Sequence, residues 1–69
     1  MKEKHGDWKI EVWVVESPAF GKGYKSTAYV PKTDGTKENI RCFSDYSGRV
    51  KSQKQMLELT KRYLAIGYE

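Results

Sequence analysis

The clearest pattern in the chain is the alternation of apolar and polar residues from Trp8 to Val15. A period of two, with β-branched and aromatic side chains, is typical of a half-buried strand. Because successive side chains of a strand point to opposite faces, we expect the apolar even positions to face the core. These positions are Trp8, Ile10, Val12 and Val14.

Two more strands are predicted downstream, over residues 24–30 and 39–44. Between the first two strands, one proline and two glycines indicate that residues 17–23 form a long loop. The Asp34-Gly35 pair indicates a turn between the second and third strands. The three strands are therefore expected to form a meander.

The facing of the third strand is ambiguous. Ile40 and Cys42 suit one face of the sheet, and Arg41 and Phe43 suit the other. We expect Ile40 to join the core and Cys42 to be a small buried hydrophobe, which leaves Arg41 and Phe43 on the opposite face.

The last third of the chain predicts an amphipathic helix. Ser52 and Gln55 have the spacing of a capping box, so the helix is expected to begin at Gln53, and Gly67 is a natural stop. One side of this helix is apolar, and we expect it to lie across the even face of the sheet. This side contains Met56, Leu57, Leu59, Thr60, Tyr63, Leu64 and Ile66, and the residues expected to lie on the sheet are Met56, Leu59, Tyr63 and Ile66.

The expected fold is therefore α+β: a three-stranded antiparallel β-meander with one C-terminal α-helix packed on one face, in the order β-β-β-α. Sixty-nine residues suit a single domain, 1–69, in which residues 1–6 are expected to be a frayed N-terminal tail. Charged residues make up 32% of the chain and hydrophobic ones 38%, which is typical of a folded domain.

The number of cysteines and the hydropathy of the sequence indicate the compartment in which the protein is expected. Cys42 is the only cysteine, so no intrachain disulfide forms, and the sequence has no Cys/His cluster for a structural zinc. A lone thiol suits a reducing compartment, and the sequence lacks a signal peptide and an apolar run of roughly 20 residues. We expect a cytoplasmic protein without a membrane partner.

The net charge of +4 is concentrated near the helix. Residues 49–62 contain five basic residues and one acidic residue, whereas the rest of the chain is balanced. Arg49, Lys51 and Lys54 lie around the helix N-terminus, where free backbone amides favour an anion such as phosphate. A solvated basic face without a partner is the alternative interpretation.

One helix covers one face of a sheet, so the other face is expected to be exposed. Aromatic rings on such a face stack on unpaired bases while basic side chains follow phosphates, or the sheet enters a duplex major groove. The alternatives are cross-strand packing alone, or a homodimer interface. The residues expected there are Lys9, Glu11, Trp13, Lys25, Thr27, Tyr29, Arg41 and Phe43.

Catalysis is not expected. His5 lies in the expected tail, Cys42 has no expected histidine partner, and the acidic residues are scattered over turns. The sequence predicts no enzyme, no catalytic residue, no metal site and no cofactor.

Two resemblances concern nucleic-acid binding. Lys22-Gly23-Tyr24 resembles the Lys-Gly-Tyr opening of ribonucleoprotein motifs and cold-shock domains, although Lys25-Ser26-Thr27 and the helical ending depart from the cold-shock pattern. The strand order with a final helix is similar to the arm-site-binding domains of tyrosine recombinases and the plant ethylene-response-type DNA-binding domain. Both of these families use the uncovered sheet face on DNA.

The function expected from the sequence is a small nucleic-acid-binding module, accessory or regulatory, that uses the uncovered face. The alternative is a protein–protein interaction adaptor or small homodimer that buries the same face. The residues expected to contact DNA or RNA are Trp13, Lys22, Lys25, Tyr29, Arg41, Phe43, Arg49, Lys51 and Lys54.

Overall fold

The structure, a computed structural model, describes residues 1–67 and contains four antiparallel strands followed by one helix. The strands lie in the sheet in chain order, so each hairpin joins neighbours. The α+β class is confirmed, but the sheet has four strands where three were predicted. Residues 68 and 69 of the expected domain lie outside the described residues. The elements are β1 (Lys2–His5), β2 (Trp8–Ser17), β3 (Gly21–Pro31), β4 (Lys37–Asp45) and α1 (Gln53–Ala65).

The additional strand, β1, occupies the segment that was expected to be a frayed tail. It pairs with β2 from Lys2, opposite Glu11, to His5, opposite Trp8. The connection is only Gly6-Asp7, and Gly6 adopts the left-handed φ of +61° that a tight hairpin turn requires. The expectation of a frayed tail is therefore wrong.

The β2–β3 hairpin is also tighter than predicted. Ser17 pairs with Gly21, so the connection is three residues long and the expected seven-residue loop over 17–23 is wrong. The Ser17 hydroxyl accepts hydrogen bonds from the backbone N–H groups of Ala19 and Phe20, both at 3.2 Å. This local bonding closes the turn and lets both strands extend.

Helix α1 begins and ends where the sequence predicts. The Ser52 hydroxyl accepts from the Gln55 backbone N–H at 3.1 Å, and the Gln55 side chain accepts from the Lys51 N–H at 2.6 Å. The reciprocal half of the capping box thus reaches one residue further back than expected. Gly67 follows the helix with a left-handed φ of +68°.

The core lies between α1 and the central strands β2 and β3. Ile10, Val12 and Ala28 from the sheet meet Met56 and Leu57 from the helix, and all five are buried. The expected core positions Val14, Ile40 and Ile66 are instead exposed. Leu57 is buried next to Met56, whereas Ile66 is the C-cap and lies after the last residue of α1.

One polar pair is buried within this core. The hydroxyls of Ser26 and Thr60 are 2.6 Å apart, and the Thr60 hydroxyl also donates to the Met56 carbonyl at 2.8 Å. Every buried side-chain nitrogen and oxygen among the described residues has a hydrogen-bond partner. The pair links β3 to α1 without leaving an unsatisfied polar atom.

The facing of β4 differs from the prediction, and the reason is a β-bulge. Before the bulge Val30 is opposite Glu38, whereas after it Ala28 is opposite Arg41, so one extra residue enters β4. Asn39 lies in this bulge with a positive φ of +52°. An extra residue exchanges the two faces for the remainder of the strand.

The consequence of the bulge is that Arg41 and Phe43 lie on the helix side of the sheet. Phe43 is opposite Ser26, and its ring centroid is 5.0 Å from that of Tyr63 on α1. The expectation that Arg41 and Phe43 are on the uncovered face is wrong. Cys42 lies there instead, and it is exposed rather than buried.

Candidate nucleic-acid interface

The sheet face opposite α1, here called the open face, carries the candidate site. Cross-strand pairing sets its rows: Trp13 lies opposite Lys25, and Lys25 lies opposite Ser44 on β4. Two rows further along β3, Tyr29 lies opposite Lys9, and Lys9 lies opposite Lys4 on β1. Directly opposed residues share a face, so these side chains are neighbours.

The charge of the open face is strongly positive. Among residues 1–67 its strand positions hold five lysines and one glutamate, Glu11, which lies 3.6 Å from the Lys2 ammonium group. Lysines on one face with few carboxylates attract a polyanion. The five are Lys2, Lys4, Lys9, Lys25 and Lys37.

Trp13 is the accessible aromatic residue at the centre of this face. It is 40% exposed, and a depression of about 210 Å³ adjoins it, bordered by Lys25, Thr27, Cys42 and Ser44. An exposed indole beside a lysine is suited to stacking on a base while the ammonium group meets the neighbouring phosphate.

Tyr29, the second ring predicted for the site, is not available for stacking. It is only 5% exposed, and the Lys37 ammonium group lies 4.5 Å from its ring centroid in a cation–π contact. Tyr29 therefore positions Lys37.

A second aromatic group lies at the other end of the open face, beyond Trp13. Tyr46 packs against Gly23, where an added Cβ would lie 2.6 Å from the Tyr46 Cε1 atom and 2.8 Å from the Asp45 carbonyl oxygen. The Phe20 ring is 5.5 Å from the Tyr46 ring and is 71% exposed. Gly23 thus makes room for a ring, which extends the aromatic surface towards the β2–β3 turn.

The other predicted site residues are dispersed. Arg41 and Phe43 face the helix side, and Lys22 is exposed opposite Glu16 near the β2–β3 turn. The three predicted phosphate contacts near the helix N-terminus do not reach the open face. Arg49 and Lys54 line a groove beside α1, and Lys51 is exposed just before the N-cap.

Several open-face residues were missed. Lys2 and Lys4 lie in β1, a segment that was expected to be a frayed tail, and Tyr46 directly follows the end of β4. The signal for β1 was His5-Gly6-Asp7-Trp8, a two-residue turn between pairing residues. Nothing in the sequence indicated that Tyr46 packs on Gly23.

Two groups with shifted pKa values lie away from the open face. The Thr36 hydroxyl and backbone N–H donate to Asp34 and lower the pKa of that carboxyl in the β3–β4 turn. Ion pairs with Glu3 and Glu58 raise the pKa of Lys61 on α1. Both shifts are explained by structural contacts, so neither marks a reactive group.

Among residues 1–67, no group of three or more His, Cys, Asp and Glu side chains is placed to hold a metal ion. Over the same residues, no helix is both long and apolar enough to cross a bilayer.

No family model matches this sequence, and no curated protein or solved structure is significantly similar to it. The function of this chain is therefore inferred from the chemistry and geometry of its own surfaces.

Proposed function

We propose that the protein is a small nucleic-acid-binding module, accessory or regulatory, that holds single-stranded DNA or RNA on its open face. The observation that supports this most directly is the exposed Trp13 ring directly opposite Lys25, on a face whose strand positions hold five lysines and one glutamate. In this arrangement an unpaired base stacks on Trp13, Lys25 holds the adjacent phosphate, and Lys9, two rows away on β2, holds a phosphate further along the nucleic-acid strand.

The dimensions of the sheet favour a single strand over a duplex. At the end that contains β1 the sheet is four strands wide, so its outer backbones are about 14 Å apart at roughly 4.8 Å per strand. The major groove of B-DNA is about 12 Å wide and admits a two-stranded ribbon. A single strand lying on the face needs no such entry.

The charge of the open face argues against the homodimer alternative. A two-fold dimer through this face would place a net positive surface against its own copy. The five lysines would then face five others with one glutamate on each side, which is unfavourable. An anionic partner suits this surface better than a second copy does.

Fluorescence anisotropy with labelled single-stranded and duplex oligonucleotides over a salt series tests the proposal. Three or four phosphate contacts give a slope of log K against log salt of about −2 to −3 for a single strand. Trp13→Ala is expected to cost about 1–3 kcal/mol of binding free energy through lost stacking. Lys25→Glu is expected to weaken binding at least tenfold, which is about 1.4 kcal/mol.

Lys51→Glu is the matched control, because it makes the same change of charge on an exposed lysine away from the open face. It is expected to change affinity less than about threefold through long-range electrostatics. Equal losses for Lys25→Glu and Lys51→Glu would rule out the open face as the site. An absence of binding at low salt would rule out nucleic-acid binding altogether, and a mass of twice the monomer that Trp13→Ala abolishes would support the homodimer.

A further inference from the structure

A groove of about 740 Å³ lies beside α1, on the side of the sheet away from the open face. It forms because α1 packs on β2 and β3, and the segment that joins β4 to α1 runs alongside the helix without closing against it. Val50 from that segment and Leu59 and Tyr63 from α1 provide its apolar lining. Val50 and Leu59 pack against the core yet remain only half-buried, so apolar surface faces the groove.

Three cations border this groove. They are Arg49, Lys54 and Arg62, and among residues 1–67 no carboxylate oxygen lies within 4.0 Å of their charged nitrogens. Cations without ion pairs beside half-buried apolar residues give a surface that suits an acidic partner with apolar side chains.

The two carboxylates that line the groove are already engaged. Glu58 lies 3.2 Å from the Lys61 ammonium group, on the β1 side of the helix. One oxygen of Asp45 accepts from the Ser47 backbone N–H at 2.9 Å and from the Ser47 hydroxyl at 2.7 Å. Neither carboxylate is bound to a cation of the groove, so these cations are available to a partner.

We propose that this groove binds an acidic peptide segment with apolar side chains, supplied by a partner protein. Lys54 and Arg62 are eight residues apart on α1, which is about 12 Å along the helix axis. An extended peptide spans that distance in about four residues at roughly 3.3 Å each. Acidic residues about four positions apart meet the two cations, and an apolar residue between them meets Leu59.

The apolar lining favours a peptide over a nucleic acid in this groove. A phosphodiester backbone brings no aliphatic groups to contact Val50 and Leu59, whereas leucine-like side chains do. Arg49 and Arg62 can hold carboxylates through paired hydrogen bonds, but they can hold phosphates in the same way, so the apolar lining is the feature that favours a peptide. The groove and the open face are thus separate sites with different ligands.

The test is an NMR titration of the ¹⁵N-labelled protein with a 10-residue peptide that repeats Glu-Ser-Leu-Ser, because this spacing places glutamate and leucine on the same face of an extended chain. We expect saturable shifts at Val50, Leu59 and Arg62 with a dissociation constant below about 1 mM. A peptide with lysine for glutamate and a peptide with serine for leucine are each expected to bind at least fivefold more weakly. The serine peptide tests the apolar lining without altering the fold of the protein.

Two double variants, each with two basic residues replaced by glutamate, distinguish this proposal from the one for the open face. Lys54→Glu with Arg62→Glu is expected to weaken the peptide at least tenfold and a single-stranded oligonucleotide less than threefold. Lys9→Glu with Lys25→Glu makes the same change of charge on the open face and is expected to show the opposite pattern.

Three outcomes would overturn the groove proposal, whether or not the open face binds nucleic acid. They are an absence of saturable shifts at millimolar peptide, peptide shifts confined to the open face, and oligonucleotide shifts in the groove larger than those from the peptide.

Discussion

At the scale of single residues, the direction of one hydrogen bond decides which of two core hydroxyls matters more. A threonine hydroxyl has one proton to donate. Thr60 gives that proton to the Met56 carbonyl, so the short contact between Ser26 and Thr60 requires Ser26 to be the donor. The two residues therefore contribute differently to stability although they touch each other.

Thr60→Val is expected to destabilise the protein by about 1–3 kcal/mol, because it leaves the buried Ser26 hydroxyl without an acceptor. Ser26→Ala keeps the Thr60 donor satisfied and is expected to cost less, about 0.5–1.5 kcal/mol. Urea unfolding followed by tryptophan fluorescence measures both. The double variant should cost less than the sum, and a larger cost for Ser26→Ala than for Thr60→Val would contradict the assigned direction.

At the scale of elements, an ion pair ties β1 to the helix. Lys61 on α1 contacts the carboxylates of Glu3 on β1 and Glu58 one turn back on the helix. These contacts raise the pKa of Lys61 above its ordinary value of 10.5. Because the folded-state pKa is the higher one, the stabilisation is present below about pH 10.5 and is lost as the pH rises through the folded-state value.

The difference in stability between the wild type and Lys61→Gln is therefore expected to shrink at alkaline pH. Urea midpoints measured in parallel from pH 8 to pH 12 give this difference, and Lys51→Gln controls for the loss of a lysine charge. At neutral pH, Lys61→Gln should also speed amide exchange in Lys2–His5, since β1 loses its tie to α1. A difference that does not change with pH would show that the ion pair contributes nothing to stability.

A strand or helix could be predicted from the sequence where the pattern that indicates it lies in neighbouring residues of the chain. Alternation defined β2, and the Ser52 cap with Gly67 defined α1, because each of these depends on adjacent residues. The facing of β4 depends on a bulge at Asn39, whose presence follows from pairing with β3 and not from the residue itself. One extra residue then moved Phe43 to the helix side.

At the scale of the whole molecule, the predicted site residues lie on different surfaces. The reason is that the facing of a strand and the path of a connection depend on contacts between residues distant in sequence. The expectation of an exposed basic and aromatic face held for Trp13 and Lys25, which follow the regular alternation of β2 and β3. Arg49 and Lys54 were predicted to be phosphate contacts at the helix N-terminus, but they line the groove beside α1, away from the open face. Charge totals along a sequence do not distinguish two faces of a sheet.

The lysines of the open face include a pair that is unfavourable for folding. Lys4 and Lys9 are directly opposed on β1 and β2, and like charges in that position destabilise a sheet. A surface that keeps such a pair loses stability that an opposite charge would restore. The proposed binding role would account for the pair, because a polyanion bound to the face would neutralise both charges.

Lys9→Glu is therefore expected to stabilise the folded protein and weaken nucleic-acid binding at once. The new pair with Lys4 should raise the free energy of unfolding by about 0.2–1 kcal/mol. The same change removes a proposed phosphate contact two rows from Trp13, so affinity for a single-stranded oligonucleotide should fall at least tenfold. On one preparation, urea unfolding gives the free energy of unfolding and fluorescence anisotropy gives the affinity for the oligonucleotide. Greater stability with unchanged affinity would place the nucleic-acid site elsewhere on the molecule, whereas lower stability would mean that the repulsion between Lys4 and Lys9 is already relieved in the free protein.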